Sequence, residues 1–153
     1  MKKIKLNYLL LLATSFLISC NALKTAPYDQ FSYQKTTEIK VDAIRLIDKA
    51  TSLYQDNITE ILHLENEIAK IVEYEKYKPN NELTYEMWQI LANENKNLLA
   101  GFFKRWKEKE KLSPFFVKEA KTQITEAMNL LLQYEGKKET ALKNQLLELI
   151  SKN

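Results

Sequence analysis

Residues 36–77 read TTEIKVDAIRLIDKATSLYQDNITEILHLENEIAKIVEYEKY, with neither Pro nor Gly. Positions 43, 47, 50, 54, 57, 61, 64, 68 and 71 advance in steps of four and three. They hold Ala43, Ile47, Ala50, Tyr54, Asn57, Ile61, Leu64, Ile68 and Ile71, so eight of the nine are apolar or aromatic. A repeat averaging 3.5 residues returns to the same side of an α-helix at each step, so these residues define one buried seam. The polar member, Asn57, lies in Gln55-Asp56-Asn57-Ile58-Thr59-Glu60. There an Asn followed three positions later by Glu also fits a helix start. Either one helix of about 60 Å, at 1.5 Å per residue, carries a polar seam residue, or two helices meet at a kink. The unbroken seam favours one continuous helix.

Downstream, Lys78-Pro79-Asn80-Asn81 is the clearest break. Thr84 then suits the N-cap of a helix from Tyr85, whose stripe is Trp88, Leu91, Leu98, Phe102 and Trp106, with Leu99 and Phe103 beside it. Asn93, Asn95 and Asn97 interrupt that stripe. Their side chains compete for helix hydrogen bonds and leave room for a short turn. Gly101 weakens a helix by about 1 kcal/mol relative to Ala, and is expected to admit a neighbouring helix. Ser113-Pro114 pairs a capping hydroxyl with a proline at the first helical position. Phe116, Ala120, Ile124, Ala127, Met128 and Leu131 follow on one face, and Gly136 with Lys137 and Lys138 reads as the C-cap. Glu139 to Ser151 forms a last short helix with Leu142, Leu146, Leu149 and Ile150 on one side. Two Gly and three Pro in 153 residues are too few for the turns of an all-β fold. The expected architecture is all-α: a bundle of three long helices plus a short C-terminal helix, over residues 34–153.

The N-terminus carries a different message. Met1-Lys2-Lys3-Ile4-Lys5 is cationic, and the apolar run from Tyr8 to Ile18 is too short for a bilayer span of about 20 residues. Leu17-Ile18-Ser19-Cys20 follows and resembles the lipobox of bacterial lipoprotein precursors. The resemblance implies a signal peptide over residues 1–19, cleavage before Cys20, and a diacylglycerol and further acyl (palmitate-type) chain on Cys20. It implies a partner, the membrane, reached through that lipid anchor. Asn21 stands where an Asp often marks retention in the inner membrane, so the resemblance points to the outer membrane, on its periplasmic face. Cleavage removes three of the 23 basic residues and none of the 20 acidic ones, leaving no net charge on the mature chain. The apparent basicity therefore belongs to the leader and gives no reason to expect a nucleic-acid partner. Residues 20–33, the acylated Cys and a spacer with Pro27, are read as a tether. Tyr28, Phe31 and Tyr33 are expected to dock its last part on the domain.

Catalytic signatures are weak. Glu60, His63 and Glu67 share a helix side, but a diiron bundle needs a second Glu-x-x-His motif, and His63 is the only histidine. His63 is expected to be a solvated residue, and with it falls a triad using Ser32, Ser52, Ser113 or Ser151. Met87, Met128 and His63 could in principle bind haem, but no attachment motif accompanies them. The single cysteine is taken by lipid. No metal and no cofactor are expected, and the chain is read as not an enzyme, although carboxylate-only chemistry stays open. The surface singled out is Lys104-Arg105-Trp106-Lys107 with the pairs Phe102/Phe103 and Phe115/Phe116, one member of each pair being expected to reach solvent. It would serve either as a docking face for a protein or cell-envelope component (an adaptor, inhibitor or immunity factor) or as the rim of an aromatic groove for a small ligand. The segments 97–106 and 113–120 also resemble small exported helical bacterial proteins, a resemblance that brings no activity with it.

Overall fold

The computed structural model describes residues 25–152. The expected signal peptide and Cys20 lie outside them. The described chain is helical throughout, with six α-helices and one 3-10 turn: α1 (Gln30–Asp48), a 3-10 turn (Tyr54–Asn57), α2 (Ile58–Lys76), α3 (Glu82–Leu91), α4 (Leu99–Lys109), α5 (Pro114–Lys137) and α6 (Thr140–Lys152). No strand occurs among the described residues, and none of their helices is long and apolar enough to cross a membrane. The all-α class holds. The division into three long helices and one short does not, because both of the first two expected helices are broken.

The first break falls inside the seam. All nine seam residues, from Ala43 to Ile71, are buried as the spacing requires, yet the helix stops at Asp48 and restarts at Ile58. The side-chain amide of Asn57 explains the geometry: it donates to Ser52 Oγ and to the Leu53 carbonyl, 3.0 Å each. Ser52 Oγ in turn donates to the Lys49 carbonyl at 2.7 Å. Asn57 heads α2 without capping it through its side chain. The polar seam residue is thus the pin of a reversal. Folding back lets the two halves of the seam bury each other in the α1–α2 contact, which a single rod could not do alone.

The second break has the Asn cluster at its centre. Asn93 Oδ1 accepts the backbone N–H of Asn95 at 2.9 Å, and the Lys96 N–H returns to the Asn93 carbonyl at 3.1 Å. This is the local competition that asparagine offers a helix. Gly101 serves this turn and not a neighbouring helix: a Cβ there would lie 1.8 Å from the Lys96 carbonyl oxygen. Further downstream the Ser113-Pro114 start is realised, with Ser113 Oγ accepting from the Phe116 N–H at 3.3 Å.

Three other boundaries shift. α3 starts at Glu82 with Asn81 before it, and Thr84 is buried inside it. Gly136 stays helical, with the Tyr33 ring 3.3 Å from where a Cβ would be, and Lys138 takes the left-handed capping position at φ 53°. α1 begins at Gln30, capped by Asp29, whose carboxylate accepts from the N–H groups of Phe31 and Ser32. Ala26 is buried and its N–H donates to the Asn80 carbonyl at 2.7 Å. Residues 30–33 of the expected tether thus belong to α1 instead of a spacer, and Ala26 is fixed to the bundle, while Tyr28, Phe31 and Tyr33 pack only in part and stay exposed.

The helices run back and forth along one axis. α1 leads away from the end where the chain enters, and α2 returns to it. α3 and α4 lead away again, α5 returns, and α6 lies against α3 and α5. The near end, beside Ala26, gathers the start of α1, the end of α2, the start of α3 and the end of α5. The far end is closed by the 49–57 loop, which the 110–112 loop stitches down: the Tyr54 N–H donates to the Glu110 carbonyl and the Leu112 N–H to the Ala50 carbonyl, 2.9 Å each. Between the ends runs a core of Ile39, Ile47, Leu64, Met87, Trp88, Leu98, Phe103, Met128 and Leu131.

Candidate functional site

Two places hold chemistry. The first, at the near end, is a buried polar cluster that the sequence reading did not pick out. Glu75 near the end of α2 and Glu135 near the end of α5 have fully buried side chains. Lys78 Nζ lies 2.9 Å from Glu75 Oε2, 3.8 Å from Glu135 Oε2 and 3.5 Å from Asp29 Oδ2, and donates to Ser32 Oγ at 2.7 Å. Lys138 Nζ closes on Glu135 Oε1 at 2.7 Å. Ser32 Oγ donates to Glu75 and Thr84 Oγ1 to Glu135. The Asn81 amide donates to Glu75 Oε2 and to the Glu75 carbonyl. Four elements are thus cross-linked by charge-assisted bonds to two fully buried carboxylates, where such bonds are strong and unpaired charge is costly.

Asp29 extends the cluster to the surface. Burial works against its charge, but hydrogen bonds from Tyr74 and the backbone of Ser32 and Phe31, with the Lys78 charge, hold its carboxyl below the usual range. Tyr74 donates to it at 2.8 Å and is pushed up to about 12, first by that bond and then by burial. Burial, with Glu135 alongside, takes Tyr134 to about 12 as well. Both phenols therefore stay neutral through the physiological range, and Tyr74 remains a donor to Asp29. Both carboxylates are fully buried, and their bonds tie four chain segments together.

A sequence signal for this cluster exists. The seam's next step beyond Ile71 is Glu75, and the α5 stripe's next step beyond Leu131 is Glu135. Stepping back from Ala43 leads through Ile39 to Thr36 and Ser32. Three apolar stripes turn polar at the same end.

The second place is the surface expected around residues 102–116, which the structure divides. Phe102, Phe103 and Trp106 are core. Trp106 donates its indole N–H to the Ser52 and Glu110 carbonyls, at 3.0 and 3.2 Å, and meets Tyr54 edge-on. Neither Phe102 nor Phe103 reaches solvent, contrary to the expectation for that pair; of the second pair, Phe115 is fully on the surface and Phe116 partly so. The cations part company along α4. Arg105 lies over the Phe116 ring at 4.5 Å, and Phe116 stacks on Phe102. Lys104 donates to Asn95 Oδ1 at 3.2 Å. Lys107 lies toward Glu65 of α2, whose carboxyl is raised by burial and by Glu94 and pulled down by Lys107. What remains together is Arg105, Phe116 and Phe102, beside a cleft of about 250 Å³ that also has Gly101, Glu119 and Gln123 in its wall. His63 is exposed on α2 as expected. Among the described residues no group of three or more His, Cys, Asp and Glu side chains is arranged to hold a metal ion.

Comparison with protein-family models, with curated proteins and with solved structures returned no match.

Proposed function

We propose that the chain is a lipid-anchored protein of the bacterial envelope, without an enzymatic role, whose helical bundle holds a docking face for a protein or envelope component away from the membrane. The observation that carries this reading is that the chain enters at one end of the bundle while Arg105, Lys107, Phe115 and Phe116 lie toward the other. Phe116 and Gly136 are separated along α5 by about 30 Å at 1.5 Å per residue, and Gly136 touches Tyr33 at the near end. With Cys20 acylated, the cationic run of α4 would stand clear of the headgroups that hold the anchor. Lipid headgroups of that leaflet are then poor occupants for it, and a partner in the periplasm is a better one. Arg105 on Phe116 and the exposed Phe115 supply the Arg and aromatic anchors common in protein interfaces.

The small-ligand alternative has less support. Of the aromatic side chains that would line a carrier's groove, Phe102, Phe103 and Trp106 fill the core themselves. The adjoining cleft of about 250 Å³ falls short of the roughly 300–1,000 Å³ of typical ligand pockets.

Photo-crosslinking residues placed at Arg105, Lys107 and Phe115 in living cells test the docking face. The expected result is one recurring adduct from these positions and none from Gln30 at the near end. Adducts confined to the near end would overturn it. Labelled palmitate tests the anchor: incorporation should vanish in Cys20→Ser, and the variant should leave the membrane fraction.

A further inference from the structure

The near end of the bundle carries a collar of exposed aromatic rings. Tyr28 is 55% exposed, Phe31 50%, Tyr33 38%, Tyr74 42% and Tyr77 72%. All five lie within a turn or so of the point where the chain enters: just before or in the first turn of α1, or in the last turn of α2 and just beyond it. They go round the end. Phe31 packs on Tyr74 of α2, ring centres 4.6 Å apart, whereas Tyr28 pairs with Tyr33, which lies against Gly136 of α5. The other large apolar side chains at the surface, Val41, Leu53, Leu62, Phe115 and Leu147, are scattered singly, as on any soluble surface. Of the exposed aromatic rings among the described residues, only Phe115 lies elsewhere.

Tyrosine with an apolar body and a polar tip is the residue of membrane–water interfaces. Lys76 over the Tyr77 ring at 4.9 Å, and Lys137 on the surface at the end of α5, place ammonium groups beside the collar where long stems can reach headgroups. The sequence also limits what can meet this end. Four residues separate Cys20 from Thr25, so the five steps between them reach at most about 18 Å when extended. Ala26 is already fixed to Asn80, so the docked chain adds no slack.

We propose that the near end of the bundle rests on the phospholipid surface that holds the anchor, with Tyr28, Phe31, Tyr33, Tyr74 and Tyr77 seated among the headgroups. This rests on the lipid-anchor reading above. The occupant is the bilayer because the short tether keeps this end at a high effective concentration beside it, so even a weak interfacial preference suffices. The buried cluster of Glu75, Lys78, Glu135 and Lys138 lies beneath the collar and holds α1 and α2, which carry it, in fixed relation to α3 and α5. The bundle then stands upright, and its far end faces away from the membrane.

The test uses the full processed lipoprotein in phosphatidylethanolamine–phosphatidylglycerol vesicles. Acylation occupies Cys20, so a cysteine introduced as Gln30→Cys, or separately as Lys111→Cys, is the only thiol for a spin label. The collar stays intact in both. A severalfold lower collision rate with a water-soluble nickel chelate at position 30 than at position 111 is expected, with oxygen access raised at position 30. Adding Phe31→Ser and Tyr77→Ser, both surface changes, should return position 30 to the value at position 111, with the helical circular dichroism unchanged. The proposal is overturned if mass spectrometry shows Cys20 acylated and the two labels are equally open to the chelate. An unmodified Cys20 would instead overturn the anchor reading, and this proposal with it.

Discussion

At the far end Trp106, Tyr54 and Leu112 close the bundle with apolar surface, and the loops beneath them hydrogen-bond through backbone and indole. At the near end Glu75, Glu135, Lys78 and Lys138 occupy the corresponding layer between helix ends. The difference is one of additivity. An apolar cap loses area and gains a cavity when one side chain is cut, and each neighbour is affected in proportion to contact. A buried ionic cap holds only while every charge has its partner, so removing one strands another in a medium that cannot solvate it.

Removing one member at each end separates the two kinds of cap. Trp106→Ala should cost about 3–5 kcal/mol, the usual range for a buried aromatic cut to Ala. Lys78→Met should cost about the same, about 3–5 kcal/mol, by leaving Glu75 and Glu135 short of a counter-charge. The second substitution tells them apart. Glu75→Gln added to Lys78→Met should cost much less than Glu75→Gln alone, a coupling of about 1–3 kcal/mol. Tyr54→Leu added to Trp106→Ala should depart from additivity by only about 0.5–1.5 kcal/mol, the scale of an edge-on aromatic pair. Urea unfolding of the two double-mutant cycles measures both. Equal coupling at the two ends would mean that the near end is held by packing and the charges are incidental.

The same contrast explains what the sequence made legible. The apolar seam from Ala43 to Ile71 predicted burial correctly at every step, because a period of 3.5 encodes which side faces inward. It could not tell a straight helix from a hairpin: the chain reverses through residues 49–57 while the spacing continues undisturbed. Asn57 was readable as an oddity, and its use as a pin was not, since that depends on Ser52 and Leu53 arriving by way of the turn. Hydropathy treats a paired buried charge and a solvated one alike, so Glu75 and Glu135 stand out from other helix acids only by continuing two apolar stripes. Lys138 as a cap was hidden by Gly136, the residue with the better conformational credentials, whose actual requirement is room for the Tyr33 ring. The docking surface suffered in the opposite way. Adjacent Phe102 and Phe103 suggested one ring in and one out, but α4 is covered on enough of its circumference to bury both.

Between the two ends, the α3–α4 turn offers a smaller test. Gly101→Ala improves helix propensity by about 1 kcal/mol, yet the new Cβ would meet the Lys96 carbonyl oxygen at 1.8 Å and the Glu94 carbonyl oxygen at 3.4 Å. Both are backbone atoms, so the 93–97 turn would have to move, at a cost of about 1–3 kcal/mol. Thermal unfolding should show net destabilisation with helical content kept. A stabilised variant would mean that the turn is loose and that α3 and α4 are free to merge into the single helix their stripe suggests.

The far end also contains a place where stability can rise. Glu110 has φ 59° and ψ −37°, a conformation unfavourable for a residue with a Cβ, and it presents its carbonyl to both Trp106 and Tyr54. Glycine adopts that backbone without the steric penalty. Glu110→Gly should therefore stabilise by about 1 kcal/mol, the lower end of the cost of such strain. The carbonyl, which does the bonding, is retained. If the midpoint falls instead, the Glu110 side chain contributes more than its backbone costs, and the far end is less purely apolar than its core suggests.

The smallest effect comes from a charge pair outside both ends, which shows what burial adds to the near-end cluster. Glu67 on α2 meets Lys35 of α1 at 2.6 Å and Lys70 at 2.6 Å. The hydrogen bonds from Lys35 and Lys70 hold its carboxyl down at about 2, from an ordinary 4.5. A depressed carboxyl contributes stability that is complete above the unfolded value and is lost as pH falls through the folded one. The contribution should thus be intact above about pH 4.5 and disappear near pH 2. Water still reaches this pair, so its contribution at neutral pH should be only about 0.2–1 kcal/mol. Unfolding curves for the wild type and Glu67→Gln should differ by that amount at pH 7 and converge as the pH approaches 2. A gap that stays constant down to pH 2 would assign the effect to side-chain packing. A gap as large as that of Lys78→Met would remove burial as the reason the near end depends on its charges.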